Sequence, residues 1–84
     1  MDAAQLKDII TAGLNCQHIE TDGDGRHWNA LIVSPEFEGK RGVQRHQLVY
    51  ATLGQRMHTD EIHALAMKTL SPSEWAAQGF KPKL

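Results

Sequence analysis

The longest periodic run of apolar and polar positions in the chain covers residues 43–57, VQRHQLVYATLGQRM. Wound at about 100° per residue, the apolar arc of this segment consists of Val43, His46, Val49, Tyr50, Leu53 and Met57. The glutamines and Thr52 occupy the other side, and Arg45 and Arg56 lie on the flank. We therefore predict an amphipathic helix of about four turns, around which the rest of the chain is arranged.

Two positions of this helix depart from the simple pattern. His46 lies inside the apolar arc, where a histidine is usually a packed ring whose N–H binds a nearby carbonyl, so we predict a structural role for it. Leu48 lies outside the arc, either as a lone exposed apolar residue or as part of a second contact surface. Leu48 and the segment after Trp75 are the candidates for a partner surface.

Three shorter segments have the composition and alternation of β-strands, and they are residues 17–21, 27–34 and 62–69. The DGDG turn at residues 22–25 joins the first two strands as a hairpin. The second strand carries apolar residues on both faces, which predicts a central position in the sheet. The connection from the second strand to the third is long enough for a right-handed crossover, which makes these two strands parallel neighbours.

Local end signals predict the other helices. Asp2 and Gln5 form a capping box ahead of a first helix, and a helical turn is expected directly after the second strand. The segment SPSE at residues 71–74 supplies an N-cap serine, a proline in the first turn and a glutamate at the third position. The sequence therefore predicts a three-stranded sheet with helices packed on one side, and Trp75 of the last helix is the expected anchor.

Composition limits the class of protein. A chain of 84 residues, with 40% apolar and 23% charged positions, predicts a single globular domain over residues 1–84. The net charge of −1 provides no general attraction to nucleic acid or to anionic lipid. One cysteine excludes an internal disulfide and fits a reducing compartment. No apolar run approaches the length of a membrane span, so we predict a cytoplasmic protein without membrane association.

The polar residues do not form a recognisable catalytic set. The chain has five histidines and ten carboxylates, but no nucleophile, base and orienting group stand at a familiar spacing. We therefore predict that the protein is not an enzyme.

His27 and His63 stand close to the starts of the second and third predicted strands. If these strands are parallel neighbours, about 4.8 Å apart, the two imidazoles lie at the same end of the sheet. Neutral imidazole is a common ligand for iron and zinc, although two unrelated exposed histidines would give the same pattern. Two histidines form an incomplete metal site, so a partner would have to supply the other ligands.

Gly39-Lys40-Arg41-Gly42 is a GxxG sequence directly before the long helix. In KH domains such a loop clamps a nucleic-acid backbone, and Lys40, Arg41 and Arg45 would supply phosphate contacts at the helix start. The signal is weak, because a glycine-bounded loop before a helix is more often only a turn. Nucleic-acid binding is therefore the alternative hypothesis.

Six motifs, in order, closely resemble those of the BolA family across residues 19–75. They are GDGxHW at 23–28, IVS at 32–34, FEGK at 37–40, VQRHQLVY at 43–50, IHAL at 62–65 and KTLSPxEW at 68–75. The chain is most similar to the short, acidic-to-neutral branch of that family. The resemblance implies an α/β (α+β) fold with the αββααβ order related to class II KH domains, which agrees with the order predicted from the residues.

The resemblance also implies a function, that of a non-enzymatic adaptor in iron–sulfur cluster metabolism. Proteins of this family bind monothiol glutaredoxins and share a 2Fe–2S cluster across the heterodimer, with the glutaredoxin cysteine and glutathione on one iron. The family histidine of the IHAL motif corresponds to His63. The second family ligand, cysteine or histidine, lies in the loop between the first two strands. Because that loop has no cysteine here and Cys16 precedes the first strand, His27 is the candidate.

Members of the family are also described as transcriptional regulators connected with stress and morphology. This implies DNA as the alternative partner, contacted by the loop of Gly39, Lys40, Arg41 and Gly42 together with Arg45. Alone, the chain is expected to carry no cofactor, and a homodimer of the chain is left open.

Overall fold

The computed structural model describes residues 2–25, 27–54 and 64–78, and its elements follow the predicted order. They are α1 (Ala3–Gly13), β1 (His18–Gly23), β2 (His27–Val33), a 3₁₀ turn (Pro35–Phe37), α2 (Gly42–Leu53), β3 (Ala64–Leu70) and α3 (Pro72–Ala77). None of the helices in these ranges is long and apolar enough to cross a membrane. The predicted fold is confirmed as an α+β arrangement with a three-stranded mixed sheet.

β2 is the central strand of the sheet, with β1 on one side and β3 on the other. It pairs antiparallel with β1, so that Ile19 faces Ile32. It pairs parallel with β3, in a register that places Ala64 beside His27. The predicted hairpin, the central position of the second strand and the parallel third strand are therefore confirmed.

The larger core lies between one face of the sheet and the helices α1 and α2. Alternate residues of a strand point to opposite faces, and every second side chain of β2 enters this core. Its buried members are Leu6, Ile10, Leu14, Ile19, Trp28, Ala30, Ile32, Phe37, Val49 and Leu53. At the hairpin a Cβ on Gly23 would collide with the ring of Trp28, so the absence of a side chain there lets the strands close.

The opposite face of the sheet is also covered, and the prediction of helices on one side only is wrong. A second core consists of Leu31 and Val33 of β2, Leu70 of β3 and Trp75 of α3. Leu31 and Val33 alternate with the residues of the larger core, so they need a cover of their own. Trp75 provides it and is only 5% exposed, which confirms the predicted anchor.

The caps of the first and last helices are formed as predicted. The Asp2 carboxylate accepts from the Gln5 backbone N–H, and the Gln5 side chain accepts from the Asp2 N–H, both at 2.8 Å. At α3, Ser71 Oγ accepts from the Glu74 N–H at 3.3 Å, and Glu74 Oε1 accepts from the Ser71 N–H at 2.7 Å. Each pair satisfies two N–H groups that have no partner within the helix.

The helix α2 is shorter than predicted and is rotated about its axis. It ends at Leu53, because Gly54 follows with a positive φ of 58°; residues 55–57 of the predicted helix lie outside the described residues. Val43 is 63% exposed and Tyr50 is 39% exposed, although both were expected in the core. Leu48, expected outside it, packs against the larger core instead.

Arg45 explains this rotation. Its side chain is only 12% exposed, and its guanidinium carbon lies 5.8 Å from the centre of the Phe37 ring. A guanidinium can be buried when its N–H groups find acceptors, and three groups outside α2 provide them here. Burying Arg45 and Leu48 turns Val43 and Tyr50 outward. His46 is half-buried, and its structural role stays a prediction.

Candidate metal centre and basic loop

His27 is the first residue of β2 and lies at the exposed end of the hairpin. Its side chain is 66% exposed, and its position is set by Asp24 three residues earlier. The Asp24 carboxylate accepts from the His27 backbone N–H at 2.8 Å, and its other oxygen is 3.5 Å from Nδ1 of the imidazole. Gly25, with a φ of 100°, lets the chain turn between them.

The parallel register supports the predicted alignment of the two strand starts. Ala64 lies beside His27, and His63 is the residue before Ala64 in the sequence. His63 itself lies outside the described residues, so its role as a ligand stays a prediction. Of the predicted pair, the structure therefore locates His27 at the start of the central strand, next to the beginning of β3.

The donors near His27 are too few for a complete metal site within the described ranges. No group of three or more histidine, cysteine, aspartate or glutamate side chains is arranged to hold a metal ion there. An exposed imidazole is nevertheless a suitable ligand for iron, and a 2Fe–2S cluster accepts histidine in place of cysteine. The chemistry of His27 therefore fits a ligand that shares a cluster with a second protein.

Cys16 lies far from His27. Its neighbour Gln17 donates to the Val33 carbonyl at the other end of β2, roughly 20 Å away along seven residues of strand. The thiol donates to the Leu14 carbonyl at 3.4 Å. Burial, followed by the negative charge of Glu36, raises the pKa of the Cys16 thiol above its ordinary value. This residue is therefore a neutral thiol in a local contact, separate from the candidate metal centre.

The GxxG loop follows β2 and lies at the opposite end of the sheet from His27. Gly39 has a φ of 72°, and the Lys40 N–H donates to the Phe37 carbonyl at 3.1 Å. The Arg41 N–H donates to Gln44 Oε1 at 2.9 Å, which caps the start of α2. Lys40, Arg41 and Gly42 are exposed, so two cations of the predicted phosphate-binding set face the solvent.

Arg45, the third predicted phosphate contact, is instead used within the fold. Its Nε donates to the Lys40 carbonyl at 2.9 Å, and Nη1 donates to the Thr69 carbonyl at 3.1 Å. Nη1 also donates to Glu74 at 2.6 Å, with Nη2 at 3.5 Å from the other carboxylate oxygen. These contacts join the GxxG loop at residues 39–42 (the basic loop), β3 and α3, so we assign Arg45 a structural role.

The carboxylate of Glu74 is strongly perturbed by this contact. The hydrogen bond from Arg45, followed by the one from the Ser71 backbone, lowers the pKa of Glu74 from 4.5 to about 2. Hydrogen bonds to the charged form favour ionisation, which is the direction observed. The Arg45–Glu74 pair was not predicted, because its two residues stand 29 positions apart and no local pattern joins them.

An aromatic contact between β1 and α3 was also not predicted. The ring of His18 stacks on that of Trp75, with 4.9 Å between the centres and 18° between the planes. Nε2 of His18 lies 2.8 Å from Glu20 Oε2. Because Glu20 stands two residues further along β1, both side chains share the face that α3 covers. The alternation of side chains along β1 indicates that His18 and Glu20 share a face, but it does not indicate the contact with Trp75.

Comparisons with known proteins agree with this architecture. The family of BolA-like proteins matches residues 6–74 of the chain. The acid stress protein IbaG of Escherichia coli is 30% identical over 76 residues, which cover 90% of each protein. The DNA-binding transcriptional regulator BolA of Haemophilus influenzae is 41% identical over 61 residues, which cover 73% of this chain and 58% of that protein.

Structural comparison leads to the same family. The crystal structure of a Bol-like protein from Babesia bovis superposes with a TM-score of 0.82 and 31% sequence identity, over 94% of each chain. The similarity therefore extends over sequence and fold together, and the family match over residues 6–74 spans the hairpin, β3 and the start of α3. The chain belongs to the BolA-like protein family.

Proposed function

We propose that this protein is a non-enzymatic adaptor in iron–sulfur cluster metabolism that binds a monothiol glutaredoxin and co-ligates a shared 2Fe–2S cluster. Membership of the BolA-like family supports the proposal, since the resemblance in sequence implies this role. The observation that carries it is the parallel register of His27 with Ala64, directly after His63. We further propose that the protein acts in the cytoplasm.

The residues of this chain have a limited task in the proposed complex. His27 would bind one iron at the exposed end of the hairpin, and His63 is proposed as the second ligand on the same iron. The glutaredoxin cysteine and glutathione would hold the other iron. Imidazole must be deprotonated to bind, so cluster sharing requires neutral histidines.

The test is a titration of this protein into a monothiol glutaredoxin that carries a 2Fe–2S cluster with glutathione, followed by visible circular dichroism. We expect a spectral change that saturates at one-to-one stoichiometry. His63→Ala is expected to abolish it, and His27→Ala to weaken or abolish it, because each variant removes a proposed ligand. Thermal unfolding of both variants should remain close to that of the wild type.

The control is His18→Gln, which removes a histidine from the other end of the sheet. His18 lies beside Val33, at the far end of β2 from His27, so this variant should retain the spectral change. If the wild-type protein causes no change and calorimetry detects no binding, the adaptor proposal is incorrect. A change that survives both His27→Ala and His63→Ala would instead remove the ligand assignment.

DNA binding is the second candidate, favoured by the exposure of Lys40 and Arg41 beside the N-terminus of α2. Amides and cations at a helix start attract phosphate. Log affinity falls as log salt rises, and each phosphate contact makes this slope steeper by about 0.9. Lys40→Glu with Arg41→Glu should therefore make the slope shallower by about 2. Arg45 is left unchanged, since it is used within the fold. DNA affinity that is indifferent to both substitutions would exclude this interface.

A further inference from the structure

The carboxylate of Asp24 contacts His27 both at the backbone and at the ring. Oδ1 accepts from the His27 N–H at 2.8 Å, and Oδ2 lies 3.5 Å from Nδ1. In the same turn the Asp24 N–H donates to the His27 carbonyl at 3.2 Å. An aspartate has a short side chain with few rotamers, and the bond from the His27 N–H to Oδ1 holds the carboxylate on the side of the turn where the imidazole lies.

The chemistry of the carboxylate decides which ring nitrogen carries the proton. An ionised carboxylate only accepts hydrogen bonds, whereas a neutral imidazole has one N–H donor and one bare nitrogen. The nitrogen that faces Asp24 is Nδ1. The favoured tautomer therefore has its proton on Nδ1, and the lone pair then lies on Nε2, which points away from Asp24.

We propose that Asp24 is a positioning residue that holds His27 in the Nδ1–H tautomer and so presents Nε2 as the metal-binding nitrogen. The part of this inference that concerns iron rests on the proposed function. A hydrogen bond from the second ring nitrogen to a carboxylate orients a ligating histidine and increases its basicity. Asp24 thus acts through His27 and needs no contact with the cluster.

The hairpin contains a matched control for the loss of one negative charge. Asp22 is exposed, like Asp24, and it stands two residues earlier in the chain. Its carboxylate accepts from the neighbouring Gly23 N–H at 2.9 Å. Asp22→Asn therefore changes the charge of the hairpin by the same amount as Asp24→Asn but keeps the carboxylate that faces the imidazole.

Asp24→Asn should reverse the tautomer without removing the turn. The asparagine oxygen can still accept from the His27 N–H, but its NH₂ group then faces Nδ1 and can only donate. This favours a bare Nδ1 and a protonated Nε2, the form that free histidine also prefers. The same change is known in the serine-protease triad, where an asparagine in place of the aspartate holds the histidine in the wrong tautomer.

The test uses the protein without a cluster, labelled with ¹⁵N, at about pH 8, where an ordinary imidazole is neutral. Long-range ¹H–¹⁵N correlation identifies the protonated nitrogen of each histidine. We expect His27 to be mainly Nδ1–H in the wild type and in Asp22→Asn, and mainly Nε2–H in Asp24→Asn. A wild-type His27 that is mainly Nε2–H, or a tautomer unchanged by Asp24→Asn, would overturn the inference.

A second readout uses the complex with a cluster-loaded monothiol glutaredoxin. Loss of an outer hydrogen-bond partner typically weakens metal affinity about 10–100-fold, so Asp24→Asn should release the cluster correspondingly more easily than Asp22→Asn. If the wild type shares no cluster, the proposed function fails, while the tautomer result still decides the role of Asp24. If cluster sharing is normal but the tautomers do not differ, the positioning role fails and the adaptor function stands.

Discussion

Trp75→Ala is expected to lower the free energy of unfolding by about 3–5 kcal/mol, the range found when a large aromatic side chain is removed from a core. Trp75 is 5% exposed and packs on Leu31, Val33 and Leu70. Its ring also stacks on His18 at 4.9 Å. The substitution therefore leaves a cavity, exposes one face of the sheet and removes an aromatic contact. Urea denaturation followed by far-ultraviolet circular dichroism measures the loss.

The expected loss is a large part of the total stability of a chain of this size, about 4–13 kcal/mol at roughly 0.05–0.15 kcal/mol per residue. Trp75→Phe is therefore the companion variant, because it keeps a ring to stack on His18 and should lose less. An unfolding midpoint of Trp75→Ala equal to that of the wild type would show that α3 does not cover the sheet. A loss as large for Trp75→Phe as for Trp75→Ala would exclude the aromatic contact as a contributor.

The elements predicted well from the sequence are those whose signals are local. Asp2 and Gln5 cap α1, and Ser71 and Glu74 cap α3, because each cap requires only residues three positions apart. The DGDG turn and the run of apolar residues after it identify a hairpin with a central second strand. The parallel pairing followed from the length of the connection, since a strand needs a crossover to return in the same direction.

The rotation of α2 could not be predicted in this way. The apolar arc of the sequence contained Val43 and Tyr50, yet the structure buries Arg45 and packs Leu48 instead. An arginine is buried only if its donors are satisfied, and the acceptors of Arg45 on β3 and α3 lie 24 and 29 residues further along the chain. Helical periodicity contains no information about such distant partners.

At the candidate metal centre, the sequence pointed to His27 as a possible ligand but did not reveal its contact with Asp24. His27 was identified as a strand start with an imidazole, and the register with Ala64 agrees with that expectation. Asp24 was treated only as a turn residue, although one of its oxygens binds the His27 backbone N–H and the other faces the imidazole. The ring contact depends on the fold of the turn and on the rotamer of His27, which spacing alone does not fix.

The two candidate surfaces lie at opposite ends of β2, and this separation makes them independently testable. His27 begins the strand, while the loop of Lys40 and Arg41 follows its other end. Effects of substitutions more than about 7–10 Å apart, without shared partners, usually add. A substitution at Lys40 should therefore leave cluster sharing unchanged, and one at His27 should leave DNA affinity unchanged. Arg45 belongs to neither surface and instead connects the basic loop with the last helix.

Arg45→Ala is expected to lower the free energy of unfolding by about 2–4 kcal/mol, because hydrogen bonds to charged groups contribute about 1.5–3 kcal/mol each and the substitution removes several of them. The Thr69 carbonyl and the Glu74 carboxylate both lose their Arg45 donors. Arg45→Lys keeps the charge but cannot provide the fork of donors, so its stability should lie between those of Arg45→Ala and the wild type. Equal stabilities of Arg45→Lys and the wild type would show that only charge matters.

The same pair should produce a defined loss of stability in acid. The pKa of Glu74 is lowered from 4.5 to about 2, so its contribution is complete above pH 4.5 and disappears as the pH falls toward 2. Because the Glu74 side chain is 45% exposed, solvent screening reduces this contribution to about 1 kcal/mol. Glu74→Gln should therefore be less stable than the wild type at neutral pH, and the difference should close between about pH 4.5 and pH 2. Glu38→Gln is the control for the loss of one negative charge, because it removes an exposed carboxylate that accepts from Ser73 Oγ. If the difference between Glu74→Gln and the wild type is constant across this range, ionisation of Glu74 does not stabilise the contact with Arg45.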